Sequence, residues 1–151
     1  MNPALRNVFA AVLAAVRRYG WFPIAVFLAH EYCSHVLDGY GRWPSIDIPM
    51  HFLGGCAMAY FLDGTLRMFQ NRALLRAPEP ILRFVLIFAL VGTIAVFWEF
   101  AEWTSDRYFG TNCQMRDLDD TLLDQFMGLV GGLAYLLVSL RRRAEKFLRS
   151  T

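Results

Sequence analysis

The chain has 151 residues, enough for one domain, and 56% of them are hydrophobic, well above the share in a typical soluble domain. The mean hydropathy is positive, at +0.35. These values favour a protein whose solvent is lipid, and they exclude an ordinary soluble enzyme. The apolar runs are long and lack the period-two alternation of barrel strands, so the expected fold class is all-α, a polytopic membrane protein.

The segment before the first long run has apolar residues at helical spacing between Leu5 and Val16, accompanied by Arg6, Arg17 and Arg18. It is too short to cross a bilayer, and this pattern predicts a helix lying in the membrane interface. A cleaved signal peptide is the competing interpretation, because the stretch is rich in alanine. Two arginines after the apolar part fit that interpretation poorly.

Four apolar runs follow, and each is expected to form a transmembrane helix. A helix of about 20 residues spans the hydrocarbon layer of about 30 Å. The predicted spans are residues 19–37, 48–69, 81–103 and 121–140. Together with the interfacial helix they predict a single integral membrane domain over residues 1–151, built as a four-helix bundle.

Basic residues concentrate on one side of this topology. Twelve of the 15 lysines and arginines lie before the first span, in the tail, or in the connection that runs from Arg67 near the end of the second span to Arg83 near the start of the third. The positive-inside rule places these segments in the cytoplasm, so both termini of a bacterial inner-membrane protein are predicted to be cytoplasmic. The net charge of +2 is the sum of a basic inner face and an acidic outer face. Basic flanks are expected from topology alone, so nucleic-acid binding has no support.

Ionisable residues cluster at the outer ends of all four spans. Such residues are costly in a bilayer, so they usually face the bundle interior and mark a functional site. The set comprises His30, Glu31, His35, Asp47, His51, Glu99, Glu102, Asp106, Asp117, Asp119, Asp120 and Asp124. Helical spacing places several of them on shared faces, namely Glu31 with His35, Glu99 with Glu102 and Asp106, and Asp120 with Asp124. Asp47 lies two residues before Pro49, which predicts a capping or loop position for it.

Carboxylates and imidazoles that converge on one spot repel each other unless a cation lies between them. We therefore expect a divalent metal ion, Zn, Mn, Fe or Mg, whose ligands are His51, Glu99, Glu102 and Asp124. His35 or Asp120 would act as general base. The alternative is a structural network in which these groups bond to each other and to nearby tryptophans and tyrosines.

Other features of the helices are interpreted as structural. Gly55 with Ala59, and Gly128 with Gly132, are pairs of small residues that allow close helix packing. Asp63 precedes Arg67 by one turn, which predicts a simple ion pair. The three cysteines, Cys33, Cys56 and Cys113, lack metal-type spacing, and a disulfide between two of them is left open.

Three strings carry a resemblance to a known family: DIPMHFLGG at residues 47–55, FWEFAEW at 97–103, and DRYFGTNCQMRDLDDTLLDQFMG at 106–128. In this order they resemble the YjdF-like family of small bacterial inner-membrane proteins, and more distantly VanZ-like membrane proteins. The matching stretch covers roughly residues 45–130. The resemblance implies a multi-pass membrane protein and names no reaction.

Three functions compete. The first is a metal-dependent membrane hydrolase or transferase acting on a lipid head group or lipid-linked phosphate at the outer face, with the bilayer and such a lipid as its partners. The second is a small ion or proton carrier, which would need polar groups through the whole membrane thickness. The third is an accessory or assembly protein whose acidic face docks a protein partner.

Overall fold

The structure is a computed structural model that describes residues 2–111 and 118–149. Within these ranges the chain is helical and contains no strand. The helices are α1 (Pro3–Tyr19), α2 (Trp21–His35), the short α3 (Gly39–Arg42), α4 (Asp47–Asn71), α5 (Pro80–Phe109) and α6 (Leu118–Leu148), with a 3-10 turn at Pro44–Ile46 before α4. The predicted all-α class is confirmed.

Two of these helices are long and apolar enough to cross a membrane. They are α5, with a mean hydropathy of 2.4, and α6, with 1.5. The pair α1 and α2 is bent by 58° and makes a third crossing if the two helices are taken as one broken span. The separate crossings predicted for residues 19–37 and 48–69 stay predictions, since α2 has 15 residues and α4 is more polar.

The N-terminal segment is a helix, as its periodicity predicts. Asn2 caps it by accepting a hydrogen bond from the Ala4 amide, and Pro3 occupies the first turn, where its missing N–H costs nothing. Its small face, Ala11 and Ala15, is buried, while its large apolar side chains stay exposed. The placement of α1 in the membrane interface stays a prediction.

Helices α4 and α6 form the closest contact in the bundle. A Cβ atom built on Gly55 would overlap the backbone of Gly128, and one built on Gly131 would overlap the carbonyl of Phe52. The Cys56 thiol donates a hydrogen bond to the Gly131 carbonyl at 3.1 Å. Small residues therefore set the spacing of these helices, as the sequence predicts, although Gly131 was not among the predicted pairs.

Buried charged residues form two layers at opposite ends of the bundle. One layer contains Asp47 of α4 and Glu99 of α5, and the other contains Asp63 of α4 and Arg83 of α5. On each of these antiparallel helices the two residues are 16 positions apart, so the layers lie roughly 24 Å apart along the helices. An apolar core separates them, formed by Ala59, Ile87, Val91 and Leu136. The separation approaches the thickness of a hydrocarbon layer.

Candidate functional site

His51 occupies the centre of one polar layer, and its side chain is only 10% exposed. It lies in the second turn of α4 and points toward α5 and α6. Its Nε2 atom lies 3.2 Å from a carboxylate oxygen of Asp47 and 3.8 Å from one of Asp124. These three residues offer ligand atoms that all lie within 4.8 Å of one another.

A second pair of carboxylates lies beside the same ring. The Nδ1 atom of His51 lies 4.0 Å from Glu99, and His51, Glu99 and Glu102 form another group within 4.8 Å. Glu102 also accepts a hydrogen bond of 2.8 Å from the Trp98 indole, one turn earlier on α5. This bond orients the Glu102 carboxylate toward the imidazole.

The cluster as a whole carries an excess of acidic groups. Four carboxylates from three helices surround one imidazole, and all four are buried. If all four carboxylates are ionised, a protonated His51 compensates only one of their four negative charges. Burial makes such an imbalance costly, so the cluster needs protons or a cation to be stable. Its oxygen and nitrogen donors suit a hard or borderline divalent metal.

The prediction for Asp47 needs correction. The sequence indicated a capping or loop residue, but Asp47 is the first residue of α4, makes no side-chain capping bond and is buried against His51. The helix instead begins after the 3-10 turn, with Ile46 at the N-cap position. The spacing of four residues between Asp47 and His51 was the available signal, because it places both side chains on one face of a helix.

Of the four predicted metal ligands, His51 lies in one group with Asp124 and in the other with Glu99 and Glu102, and metal binding by them stays a prediction. Of the two predicted bases, Asp120 lies one turn before Asp124 on α6, is partly buried and belongs to neither ligand group. His35 ends α2, and its side chain lies outside what the structure describes.

Four further acidic candidates lie apart from the ligand groups or outside the described residues. Asp106 accepts a hydrogen bond of 2.6 Å from Thr111, across the turn at Gly110 that ends α5. Asp119 is exposed. Asp117 lies outside the described residues. Glu31 is partly buried on α2 and is not a member of either ligand group.

His30 has a role that sequence reasoning did not assign. Its Nδ1 atom lies 2.6 Å from the Tyr40 hydroxyl, and its ring stands edge-on to Trp98. Burial, reinforced by the charge of Asp47, raises the pKa of Tyr40 above its ordinary value, so the hydroxyl stays protonated and can donate to an unprotonated His30. This contact ties α2 and α3 to α5 beside the cluster.

An apolar cavity of about 140 Å³ adjoins the cluster. Its walls come from α2, α4, α5 and α6, and it is open on one side. Among the residues that the structure describes, only His30 and His51 of its lining are ionisable. The remaining lining includes Phe27, Met50, Gly54 and Ile94. The apolar cavity thus lies beside the polar cluster and shares His51 with it.

The thiols of Cys33 and Cys56 are free. The open disulfide prediction is therefore excluded for that pair, and Cys113 lies outside the described residues.

Residues 7–145 match the profile of a family described as "Predicted membrane protein (DUF2238)". An "Uncharacterized protein" of Thermotoga maritima is 28% identical over 123 residues, which make up 82% of this chain and 62% of that protein. The chain thus spans less than two thirds of the length of this relative. No solved structure matches the chain. These findings agree with the membrane character implied by the YjdF-like resemblance, while that family name itself stays a prediction.

Proposed function

This chain belongs to the DUF2238 family of predicted membrane proteins, and we propose that it is a metal-dependent membrane hydrolase or transferase. Its substrate would be a lipid head group or a lipid-linked phosphate. One or two divalent ions would bind among Asp47, His51, Glu99, Glu102 and Asp124. In this proposal the protein lies in the bacterial inner membrane with both termini in the cytoplasm, so that the site faces the outer leaflet.

The observation that carries the proposal is the convergence of four buried carboxylates on the two nitrogens of one imidazole. A divalent ion removes the repulsion among them more completely than a proton on His51 does. The geometry suits an ion on either side of the ring, because Nε2 lies 3.2 Å from Asp47 and 3.8 Å from Asp124, while Nδ1 lies 4.0 Å from Glu99.

The apolar cavity supports a lipid substrate. His51 is part of its lining beside apolar side chains, so a hydrocarbon chain in the cavity would place a polar head group near the candidate metal ligands. Most ligand pockets combine an apolar wall with a few polar groups at one end, which is the composition seen here.

The chemistry follows from the ligand set. A metal ion held by these residues would supply Lewis-acid polarisation of a phosphoryl oxygen and of a nearby water molecule. The general base would take a proton from the attacking water as its oxygen bonds to phosphorus, and it would return that proton to the leaving-group oxygen as the phosphorus–oxygen bond breaks. Asp120 lies one turn from Asp124 on α6, and His35 ends α2 on the same side of the bundle, so these two residues are the candidate bases.

The competing functions have less support. An ion carrier requires polar groups across the membrane, yet the layer between Asp47 and Asp63 is filled by Ala59, Ile87, Val91 and Leu136. An accessory protein with a structural polar network remains the alternative if the cluster holds no metal.

The test is the metal content of the purified protein, measured by elemental analysis after purification without chelators. We expect at least one equivalent of a divalent metal in the wild type and its loss in His51→Ala and Glu99→Ala. His30→Ala is the matched control, because His30 lines the same cavity but belongs to neither ligand group. Wild-type protein without stoichiometric metal, after dialysis against Zn, Mn, Fe and Mg in turn, would contradict the proposal.

A further inference from the structure

The second polar layer is built around Asp63 of α4, whose side chain is 2% exposed. Arginines from three helices converge on it: Arg67 of α4, Arg83 of α5 and Arg143 of α6. The sequence predicted only the pair with Arg67. Tyr135 adds a hydrogen bond of 3.3 Å to the same carboxylate.

The three arginines are held in different ways. Arg83 is 10% exposed and uses its whole guanidinium group, with Nε and Nη2 on Asp63 and Nη1 on Gln70. Arg67 and Arg143 each contact Asp63 through Nη2 alone and are 45% and 42% exposed. Among the described residues, their Nε and Nη1 atoms have no partner, so each presents most of a five-donor group outward.

The charges of this cluster do not balance. Three guanidinium groups face one carboxylate, and within the described ranges no second acidic side chain forms an ion pair with any of them. The other acids at this end are Glu79, which is exposed, and Glu145, which pairs with Arg141. The cluster of Asp63 and its three arginines therefore carries a net charge of +2, which attracts anions.

We propose that Arg67 and Arg143 form a binding site for the phosphate of an anionic phospholipid, with Asp63 and Arg83 as positioning residues. Asp63 holds both guanidinium groups by one nitrogen, which keeps the two groups near each other and leaves their remaining donors for a phosphate. Arginine matches phosphate because its planar fork can donate two parallel hydrogen bonds. This site lies at the opposite end of the bundle from the His51 cluster and does not depend on the proposed reaction.

A lipid is the favoured source of the phosphate because of the location of the site. The Asp63 layer lies roughly 24 Å along the helices from the Asp47 layer, which places it near the head groups of one leaflet if the apolar core occupies the hydrocarbon. Exposed apolar side chains that follow Arg83 on α5 toward the apolar core, Val85 and Leu86, would contact the acyl chains.

The experiment compares lipid binding by the full-length wild type and two matched pairs of variants. Phosphatidylglycerol is titrated into protein in a neutral detergent, and bound lipid is counted by native mass spectrometry, with phosphatidylcholine and inorganic phosphate as separate arms. We expect one tightly held phosphatidylglycerol in the wild type, and a loss of affinity of about tenfold in Arg143→Gln, the cost of a charge-assisted hydrogen bond. Arg141→Gln removes the same charge two residues away and should bind as the wild type does.

Arg67→Gln and Arg72→Gln repeat the comparison on α4, so a folding defect in Arg143→Gln does not decide the outcome. Equal losses within each pair would mean unspecific attraction to a basic surface and would overturn the site. Phosphatidylcholine binding as tightly as phosphatidylglycerol would also overturn it. Inorganic phosphate that competes at equal concentration would identify a free anion as the ligand and contradict the lipid assignment.

Discussion

The Nε2 atom of His51 lies 3.2 Å from a carboxylate oxygen of Asp47, one turn earlier on the same helix. This pairing places Asp47 in the polar cluster. Helix α4 therefore contributes two candidate ligand residues, Asp47 and His51, from its first two turns. Because α4 packs against both α5 and α6, the same helix face brings His51 to Glu99 and to Asp124. The first turns of α4 therefore organise the candidate site.

Asp47→Asn should weaken metal binding by about 10- to 100-fold, the range seen when groups that support a metal site are removed. The amide keeps the shape of the side chain but removes one of the four negative charges. Titration calorimetry on the purified protein measures this affinity. Asp38→Asn is the control, since Asp38 has a side chain that is 74% exposed and pairs only with Arg42 among the described residues. Unchanged affinity in Asp47→Asn would assign Asp47 a structural role.

Gly131→Ala should destabilise the bundle, because the new methyl group would overlap the Phe52 carbonyl on α4. Overpacking of this kind costs about 1 to 3 kcal/mol. Unfolding in a denaturing detergent, followed by circular dichroism, measures the free energy of unfolding. Gly54→Ala is the matched control, since a Cβ atom there meets no other atom within 4 Å. Similar stabilities for the two variants would contradict the close approach of α4 and α6.

Gly54→Trp should reduce the amount of lipid that remains with the protein after purification. Gly54 lines the apolar cavity and has open space in front of it, so an indole ring would fill the volume proposed for a hydrocarbon chain. Mass spectrometry of extracted lipids gives the molar ratio. Leu53→Trp places the same ring on the adjacent residue, which is 41% exposed and does not line the cavity. Equal lipid content in both variants would show that the cavity holds no chain.

Asp63→Asn should destabilise the protein by about 3 to 5 kcal/mol, the usual cost of removing one partner from a buried ion pair. Three arginines would lose their shared counter-charge at once. Thermal unfolding in detergent measures the effect. Glu145→Gln breaks the exposed pair with Arg141, and exposed pairs contribute about 0 to 1 kcal/mol. A small effect in Asp63→Asn would mean that lipid or water already compensates the cluster.

Much of the site could be predicted from the sequence because helical periodicity is local. The spacing of Glu99 and Glu102 places them on one face of α5, and the polar ends of apolar runs indicate which residues are near one membrane boundary. His51 and Asp124 follow from the same reasoning. Gly131 was missed because the sequence does not show which of the two adjacent glycines, Gly131 or Gly132, faces α4. In the structure, Gly131 faces α4 and Gly132 faces Val91 of α5.

By itself, the sequence determined that this protein is helical and lies in a membrane, and it determined which residues each helix can present together, because composition and periodicity act within single segments. Only the tertiary structure decided that Asp47 joins His51 and that Arg143, 80 residues after Asp63, shares its carboxylate. Such pairings depend on the rotation and depth at which helices pack, which are set by contacts between small residues far apart in the chain.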